Sequence, residues 1–123
     1  MGKMPYATLK SLAEIDDTVK SLKNNVYNEV EKIRKQIIDV SKFIHDNPEL
    51  GSEEYKACEL LTSKLAEYGF RIEKKLLGMD TAFKATFHGE KHGPKIAFLA
   101  EYDALPEIGH GCGHNIIAAS ALG

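Results

Sequence analysis

The sequence predicts an α/β protein in which helices pack on a mixed β-sheet. Three observations support this class: helical apolar spacing runs through the first half of the chain, extended apolar segments follow it, and reactive polar residues crowd the end of the last segment. The chain has 123 residues, a formal charge of -2 and two cysteines. A chain of this size can bury a core of its own, so one globular domain is expected.

Two apolar stripes predict the N-terminal helices. The first repeats at three- and four-residue spacing from Leu9 to Leu22, and the pair Asn24-Asn25 is expected to interrupt it. The second runs from Val30 to Ile44. It should end near Asn47, because the residue before a proline is driven out of helical dihedrals. Two successive helices are therefore expected in this part of the chain.

A third helix and three strands are predicted next. Ser52 is expected to cap a helix that ends at Gly69, a residue type common just after helices. The apolar period then changes, and strands are predicted over Arg71 to Leu77 and Phe83 to Phe87. The continuous apolar run from Lys95 to Ala100 predicts a central strand covered on both faces.

The composition excludes several functional classes. The 18 acidic residues nearly balance the 16 basic ones, so the chain lacks the basic footprint of a nucleic-acid partner. The apolar runs are too short to cross a bilayer, and residues 1–11 contain no apolar run typical of a secretory signal. The low cysteine content fits a reducing compartment. We therefore expect a cytoplasmic protein with neither a membrane nor a nucleic-acid partner.

The reactive side chains follow the predicted central strand. Glu101 and Asp103 come directly after it, and His110, Cys112 and His114 lie in a glycine-rich loop before a last helical segment. Open α/β sheets bind ligands outside the carboxyl ends of their strands, so this loop has the position expected of a functional site.

One chemistry compatible with this loop is metal binding. Cys112 and His114 would point to nearly opposite faces of a helix, so they can share an ion only on an irregular turn, which Gly111 and Gly113 allow. A thiolate and an imidazole suit Zn²⁺ or a similar ion. The nearby candidates for further ligands are His110, Asp103 and Glu101.

Other interpretations of the same residues stay open. The pattern Gly109-x-Gly111-x-x-His114 matches a dinucleotide-binding fingerprint except for its third glycine. Cys112 could be a nucleophile with His110 or His114 as its base, or an inert thiol on a tight turn. Outside the loop, Cys58 is expected to be a core residue.

Two segments of the chain carry a family resemblance. LAEYDALPEIGHGCGHNIIAASALG resembles the metal-site segment of M20 metallopeptidases and amidohydrolases, in the branch with Cys-Gly-His, and FIHDNPELGSEEYKACELLTSKLAEYGF is similar to the opening helices of that family. The Asn that follows the histidine resembles the pattern of the aminobenzoyl-glutamate utilisation and M20-domain dipeptidase-like members. The resemblance runs from about Val30 to Gly123. It implies the N-terminal portion of a longer metallo-exopeptidase-like catalytic domain over residues 26–123, preceded by a helical extension over residues 1–25.

The resemblance also implies an activity and its site residues. The activity is hydrolysis of amide bonds in N-acyl amino acids, small dipeptides or aminobenzoyl-glutamate, with one or two divalent ions, zinc or manganese. By resemblance, Cys112 and His114 are metal ligands, Cys112 bridging two ions, and Asp103 orients the site. Glu101 and His110 are candidates for residues that contact the ligands rather than the ion. A second group matches a family signature expected to be structural: His45, Pro48, Glu49 and Gly51.

The remaining catalytic parts of the family have no counterpart in the 123 residues. The resemblance implies that a Glu pair with the general base, further histidine ligands and a dimer-forming domain come later in longer chains, which are expected to be homodimers. No general base is therefore predicted here, and the isolated chain, an N-terminal fragment or a truncated product, is expected to bind metal weakly and to be inactive. The alternative is a truncated, non-catalytic module that binds a partner through an exposed edge.

Overall fold

A computed structural model describes residues 12–123, with side chains from residue 16 onward. Its helices and strands confirm the predicted α/β class. The start of the first predicted stripe, including Leu9, lies outside the described residues. No helix of the described part is both long and apolar enough to cross a membrane. The elements are α1 (Leu12–Asp46), α2 (Tyr55–Glu67), β1 (Arg71–Lys74), a 3₁₀ turn (Leu76–Gly78), β2 (Phe83–Thr86) and α3 (His114–Leu122).

Helix α1 is continuous through Asn24 and Asn25, so the predicted interruption is wrong. The helix propensity of asparagine is only about 0.7 kcal/mol or less worse than that of alanine, far below the cost of proline. Such a cost does not interrupt a helix of 35 residues. The predicted end is confirmed. The Asn47 backbone N–H donates to the Phe43 carbonyl at 3.1 Å, and its side-chain amide donates to the same oxygen at 2.9 Å.

The chain divides into two compact units, residues 1–34 and residues 35–123. The described part of the first unit is a single helical segment, the first portion of α1. The second unit contains every other element and all residues of the candidate site. The domain boundary predicted after residue 25 stays a prediction.

Helix α2 begins at Tyr55, and Glu49 rather than Ser52 caps it. The two carboxylate oxygens of Glu49 accept the backbone N–H groups of Lys56 at 2.9 Å and Ala57 at 3.0 Å. These amides belong to the first turn, where no carbonyl of the helix is available to them. The predicted Ser52 cap is wrong, because Ser52 has φ 70° and lies in the turn before the helix.

The end of α2 is as predicted. Gly69 has φ 83°, in the left-handed region where glycine has no steric penalty. Its N–H donates to the Ala66 carbonyl at 2.9 Å, and the Phe70 N–H donates to the Leu65 carbonyl at 3.1 Å. This pair of hydrogen bonds is the Schellman motif, which satisfies carbonyls at the end of a helix.

The described sheet is one antiparallel pair, β1 with β2, in which Arg71 lies opposite Thr86 and Lys74 opposite Phe83. Strand β1 is shorter than predicted because the chain turns at Lys75, where φ is 58°. The predicted central strand over residues 95–100 is wrong for the described structure. No described strand pairs with that segment, and Leu99 is 92% exposed. A buried strand needs neighbours on both sides and layers over both faces, and the described residues supply neither.

The core of the second unit joins its three helices. Leucine, isoleucine, valine and alanine side chains of α1, α2 and α3 make one contiguous apolar cluster, which Phe83 and Tyr102 flank. This packing fixes the first residue of α3 relative to the other helices, and that residue is His114. The buried cluster consists of Val40, Ile44, Ala57, Leu61, Ala118 and Ala119.

Candidate active site

The site loop runs from Glu101 to Gly113 and is tied to the rest of the second unit at its start. The Ala104 N–H donates to the Glu49 carbonyl at 2.7 Å, and Ala104 forms a parallel bridge with Leu50. A tight turn follows, closed by two hydrogen bonds between the backbones of Leu105 and Gly109, at 2.9 and 3.0 Å. The loop therefore has a defined path before it reaches the Gly-Cys-Gly-His segment.

Glycines make the irregular turn that the sequence predicted before the last helix. A Cβ at Gly111 would lie 2.7 Å from Cγ2 of Ile108, so any side chain there would force Ile108 to shift. Gly113 has φ 75° and is the N-cap of α3, and its N–H donates to the His110 carbonyl at 3.0 Å. The left-handed turn at Gly113 lets His114 leave the loop and enter the helix within one residue.

His114 and two carboxylates form the centre of the site. Asp103 Oδ1 lies 2.8 Å from His114 Nδ1, and the Asp103 carbonyl lies 3.1 Å from the same nitrogen. Glu101 Oε2 lies 3.2 Å from His114 Nε2. With the proton on Nδ1, that nitrogen donates to Asp103 and the lone pair of Nε2 is directed toward Glu101. The His114 side chain is 19% exposed and Glu101 is 71% exposed, so the Nε2 side of the ring is the one open to a ligand.

His110 lies beside this centre with unsatisfied nitrogens. Neither ring nitrogen makes a hydrogen bond of ordinary geometry to the described residues, although both atoms are buried. Its ring stacks on the ring of His45, with centroids 6.4 Å apart. Burial lowers the pKa of His110, a nearby Ile44 carbonyl opposes this, and the neighbouring imidazoles add to the lowering. The nitrogens of His110 are the kind of buried polar atom that needs a water, ion or ligand as partner.

Cys112 is exposed, one residue before the N-cap of α3. Asn115 is buried in the first turn of α3, where its amide donates to Ser41 Oγ at 3.1 Å. Within residues 12–123 no group of three or more His, Cys, Asp or Glu side chains is arranged to hold an ion. The structure thus brings His114, Asp103 and Glu101 together and leaves Cys112 on the surface nearby.

These residues fit a divalent metal by their chemistry. An imidazole, a thiol and carboxylates are the donor types that zinc accepts. A histidine that ligates a metal usually donates its other ring N–H to a carboxylate or carbonyl, and Asp103 offers both to Nδ1 of His114. The unpartnered nitrogens of His110 also agree with a polar ligand at this place.

The four residues of the family signature, His45, Pro48, Glu49 and Gly51, lie against the site loop. Pro48 and Gly109 are neighbours, since a Cβ on Gly109 would lie 3.9 Å from the Pro48 Cβ. Similarly, a Cβ on Gly51 would lie 3.9 Å from Oδ2 of Asp103. His45 contacts His110, and Glu49 binds both α2 and Ala104. Their observed contacts are structural, in agreement with the expectation for this signature.

A buried polar chain behind the site escaped the sequence analysis. The Tyr102 hydroxyl donates to the Thr81 carbonyl, and the Thr81 hydroxyl donates to Glu54 Oε2 at 2.5 Å. Glu54 is buried and also accepts the Ser52 N–H at 3.0 Å. The sequence did contain a signal for the buried position of Tyr102. In Glu101-Tyr102-Asp103 polar and apolar residues alternate, and the aromatic residue between the two acids packs against the core.

The thiol of Cys58 lies next to this chain, and its buried position on α2 confirms the core prediction. Burial raises the pKa of Cys58, and Tyr102 is a hydrogen-bonding neighbour. Burial also raises the pKa of Tyr102. The charged groups that act on the thiol are Lys74, Glu59 and Glu54.

Curated relatives of the chain are peptidases and amidohydrolases. The thermostable carboxypeptidase 2 of Saccharolobus solfataricus is 33% identical over 121 residues, covering 87% of this chain and 30% of the relative. A subunit of the p-aminobenzoyl-glutamate hydrolase of Escherichia coli is 35% identical over 110 residues, covering 76% and 22%. The Xaa-Arg dipeptidase of Mus musculus is 35% identical over 115 residues, covering 83% and 26%. No family model matches the chain.

The relatives are peptidases and amidohydrolases, and the α/β fold of this chain agrees with a part of such a catalytic domain. The similarity extends over most of the chain, with the site loop following the helices and strands that support it. The chain belongs to the M20 family, which confirms the resemblance seen in its sequence. It spans less than a third of the length of each relative named above.

Proposed function

We propose that this chain contributes part of the active site of a metal-dependent hydrolase that cleaves amide bonds. The observation that carries the proposal is the pairing of His114 Nδ1 with Asp103 at 2.8 Å, which leaves Nε2 toward the open side of the site. The relatives support the reaction class, since their names describe a carboxypeptidase, a p-aminobenzoyl-glutamate hydrolase and a dipeptidase. The proposed substrates are N-acyl amino acids, small dipeptides or aminobenzoyl-glutamate.

Cys112 and His114 are the proposed metal ligands, with zinc or manganese as the metal and one or two ions in the longer enzyme. A divalent ion bound there supplies Lewis-acid polarisation of the amide carbonyl and activates water. Asp103 accepts a hydrogen bond from the protonated Nδ1 of His114. The unprotonated Nε2 is then available as the metal ligand. The exposed carboxylate of Glu101 adds negative charge beside Nε2, which favours a cation at that place.

The hydrolytic reaction also needs a group that takes a proton from water and passes it to the leaving nitrogen. We assign no residue of this chain to that role, because Asp103 accepts the Nδ1 proton of His114 and the family resemblance implies that the general base comes later in longer chains. We propose that a longer chain supplies this group and forms a homodimer, that the protein is cytoplasmic, and that the 123 residues alone are inactive.

Metal titration of the 123-residue chain tests the ligand assignment. Isothermal titration with ZnCl₂ or MnCl₂ should show binding to the parent chain and its loss in Cys112→Ser and in His114→Ala. His92→Gln is the matched control, since His92 is an exposed histidine of another loop. Equal binding by all four proteins would contradict the assignment, and circular dichroism checks that each variant keeps its helices.

A second candidate function is a non-catalytic binding module. The observation that favours it is the exposed apolar segment over residues 95–100, in which Ile96 is 78% and Phe98 81% exposed. The mass of the protein in its source cells, detected with an antibody against this chain, separates the two functions. A product several times heavier than 13.6 kDa supports the hydrolase, and a product of 13.6 kDa supports the module.

A further inference from the structure

The first portion of α1 carries an apolar stripe that the described residues of its own unit do not cover. Its apolar side chains recur at three- and four-residue spacing, as on the buried face of an amphipathic helix, yet Leu22 is 58% and Val26 63% exposed. Tyr27 beside them is 65% exposed. The same helix carries a balanced set of charges, since residues 16–34 contain four acidic and four basic side chains. An exposed, continuous apolar stripe on a soluble helix indicates an interaction surface.

The stripe has the shape that receives side chains from another helix. In knobs-into-holes packing, four residues at positions i, i+3, i+4 and i+7 form the hole for one side chain of the facing helix. The groove on this stripe contains two such sets, one that begins at Val19 and one that begins at Lys23. Its lining consists of Val19, Leu22, Lys23, Val26, Tyr27 and Val30.

The charges along one edge of the stripe indicate what covers it. Asp16 and Lys20 lie at one end of this edge, and Glu31 and Arg34 lie on the same face at the other end. In an antiparallel pair of identical helices, each edge faces its own copy in reverse order. Asp16 then meets Arg34 of the second copy, and Lys20 meets Glu31 of the second copy.

The same reversal brings the apolar residues into register. The centre of the two charge pairs falls near residue 25, and the centre of the groove between Val19 and Val30 falls at nearly the same place. We propose that two copies of this chain associate through this stripe as an antiparallel helix pair. The exposed ion pairs Lys20–Asp16 at 2.7 Å and Arg34–Glu31 at 3.5 Å would then join into four-charge networks across the interface.

Association is tested on the 123-residue chain by sedimentation equilibrium over a range of concentrations. The parent should dimerise, and Val26→Lys should weaken the dimer about a hundredfold or more, because each copy loses one buried apolar side chain and gains a cation. Asn24→Lys is the matched control, since it adds the same charge two residues away, off the stripe. Lysine favours helix at least as well as valine or asparagine, so neither change disrupts α1, and circular dichroism verifies this.

Charge exchange tests the orientation of the two helices. Lys20→Glu should weaken the dimer, and adding Glu31→Lys should restore it, because the reversed pair is again complementary across an antiparallel interface. Failure of this rescue would contradict the antiparallel arrangement.

Three other results would overturn the proposal. They are a parent chain that is monomeric at all concentrations, a dimer that survives Val26→Lys and so uses another surface such as residues 95–100, and a monomer that co-sediments with phosphatidylserine vesicles and so uses the stripe for lipid.

Discussion

Replacing Glu49 by alanine should destabilise the second compact unit by removing the cap of α2. The carboxylate accepts two backbone N–H groups, from Lys56 at 2.9 Å and Ala57 at 3.0 Å, at the positive end of the helix. Loss of a helix cap costs about 0.5–2 kcal/mol, and a charged acceptor with two bonds belongs at the upper end of that range. We therefore expect the free energy of unfolding to fall by about 2 kcal/mol. Glu49→Gln, which keeps an acceptor but loses the charge, should cost about half of this.

Urea unfolding followed by circular dichroism measures the effect. The midpoint should fall with little change in slope, because the same surface is exposed on unfolding. The matched control is Glu53→Ala, since Glu53 is an exposed acid four residues further along, in the segment before α2. If the Glu49 and Glu53 variants unfold within about 0.3 kcal/mol of each other, the capping role of Glu49 is refuted.

Three further predictions concern the site and the buried chain behind it. Tyr102→Phe should lower the free energy of unfolding by about 1 kcal/mol, measured in urea, since it removes the hydrogen bond to the Thr81 carbonyl; no loss would mean that the bond contributes nothing. Asp103→Asn should weaken zinc binding in calorimetric titration about 10- to 100-fold, because Nδ1 of His114 loses its charged partner; unchanged affinity contradicts the orienting role. Because burial raises the pKa of Cys58, the unfolded thiol ionises first. The stability that this thiol contributes is present below its ordinary pKa of 9.0 and is lost as pH rises through the folded pKa. Cys58→Ala should therefore reduce the alkaline decline in unfolding free energy, and an equally steep decline would refute this.

Local signals predicted the parts of the fold that depend on neighbouring residues. The end of α1 before Pro48 and the end of α2 at Gly69 are set by backbone sterics within a few residues, and both predictions are confirmed. The Ser52 cap failed because the actual cap, Glu49, lies seven residues before the amide that it binds, outside the usual capping spacing. The Asn24-Asn25 break failed because a weak local preference does not stop a helix of this length.

Elements that depend on distant partners were not predictable in the same way. The apolar run of residues 95–100 has the composition of a central strand, but a strand exists only where neighbouring strands supply hydrogen bonds. The site loop was located by its reactive residues, and the turn at Gly113 was anticipated. The contact of His114 with Asp103 and the chain through Thr81 were not, because they join residues 11 to 27 positions apart.

Glu49 links the candidate site to the start of α2 through its side chain and its backbone. The Glu49 carboxylate binds the first turn of α2, while its carbonyl accepts the Ala104 N–H at 2.7 Å. Ala104 directly follows Asp103, and Asp103 holds the imidazole of His114. The orientation of the proposed ligand therefore rests on the same backbone that the helix cap immobilises, and this agrees with the structural role expected for Glu49 in the family signature.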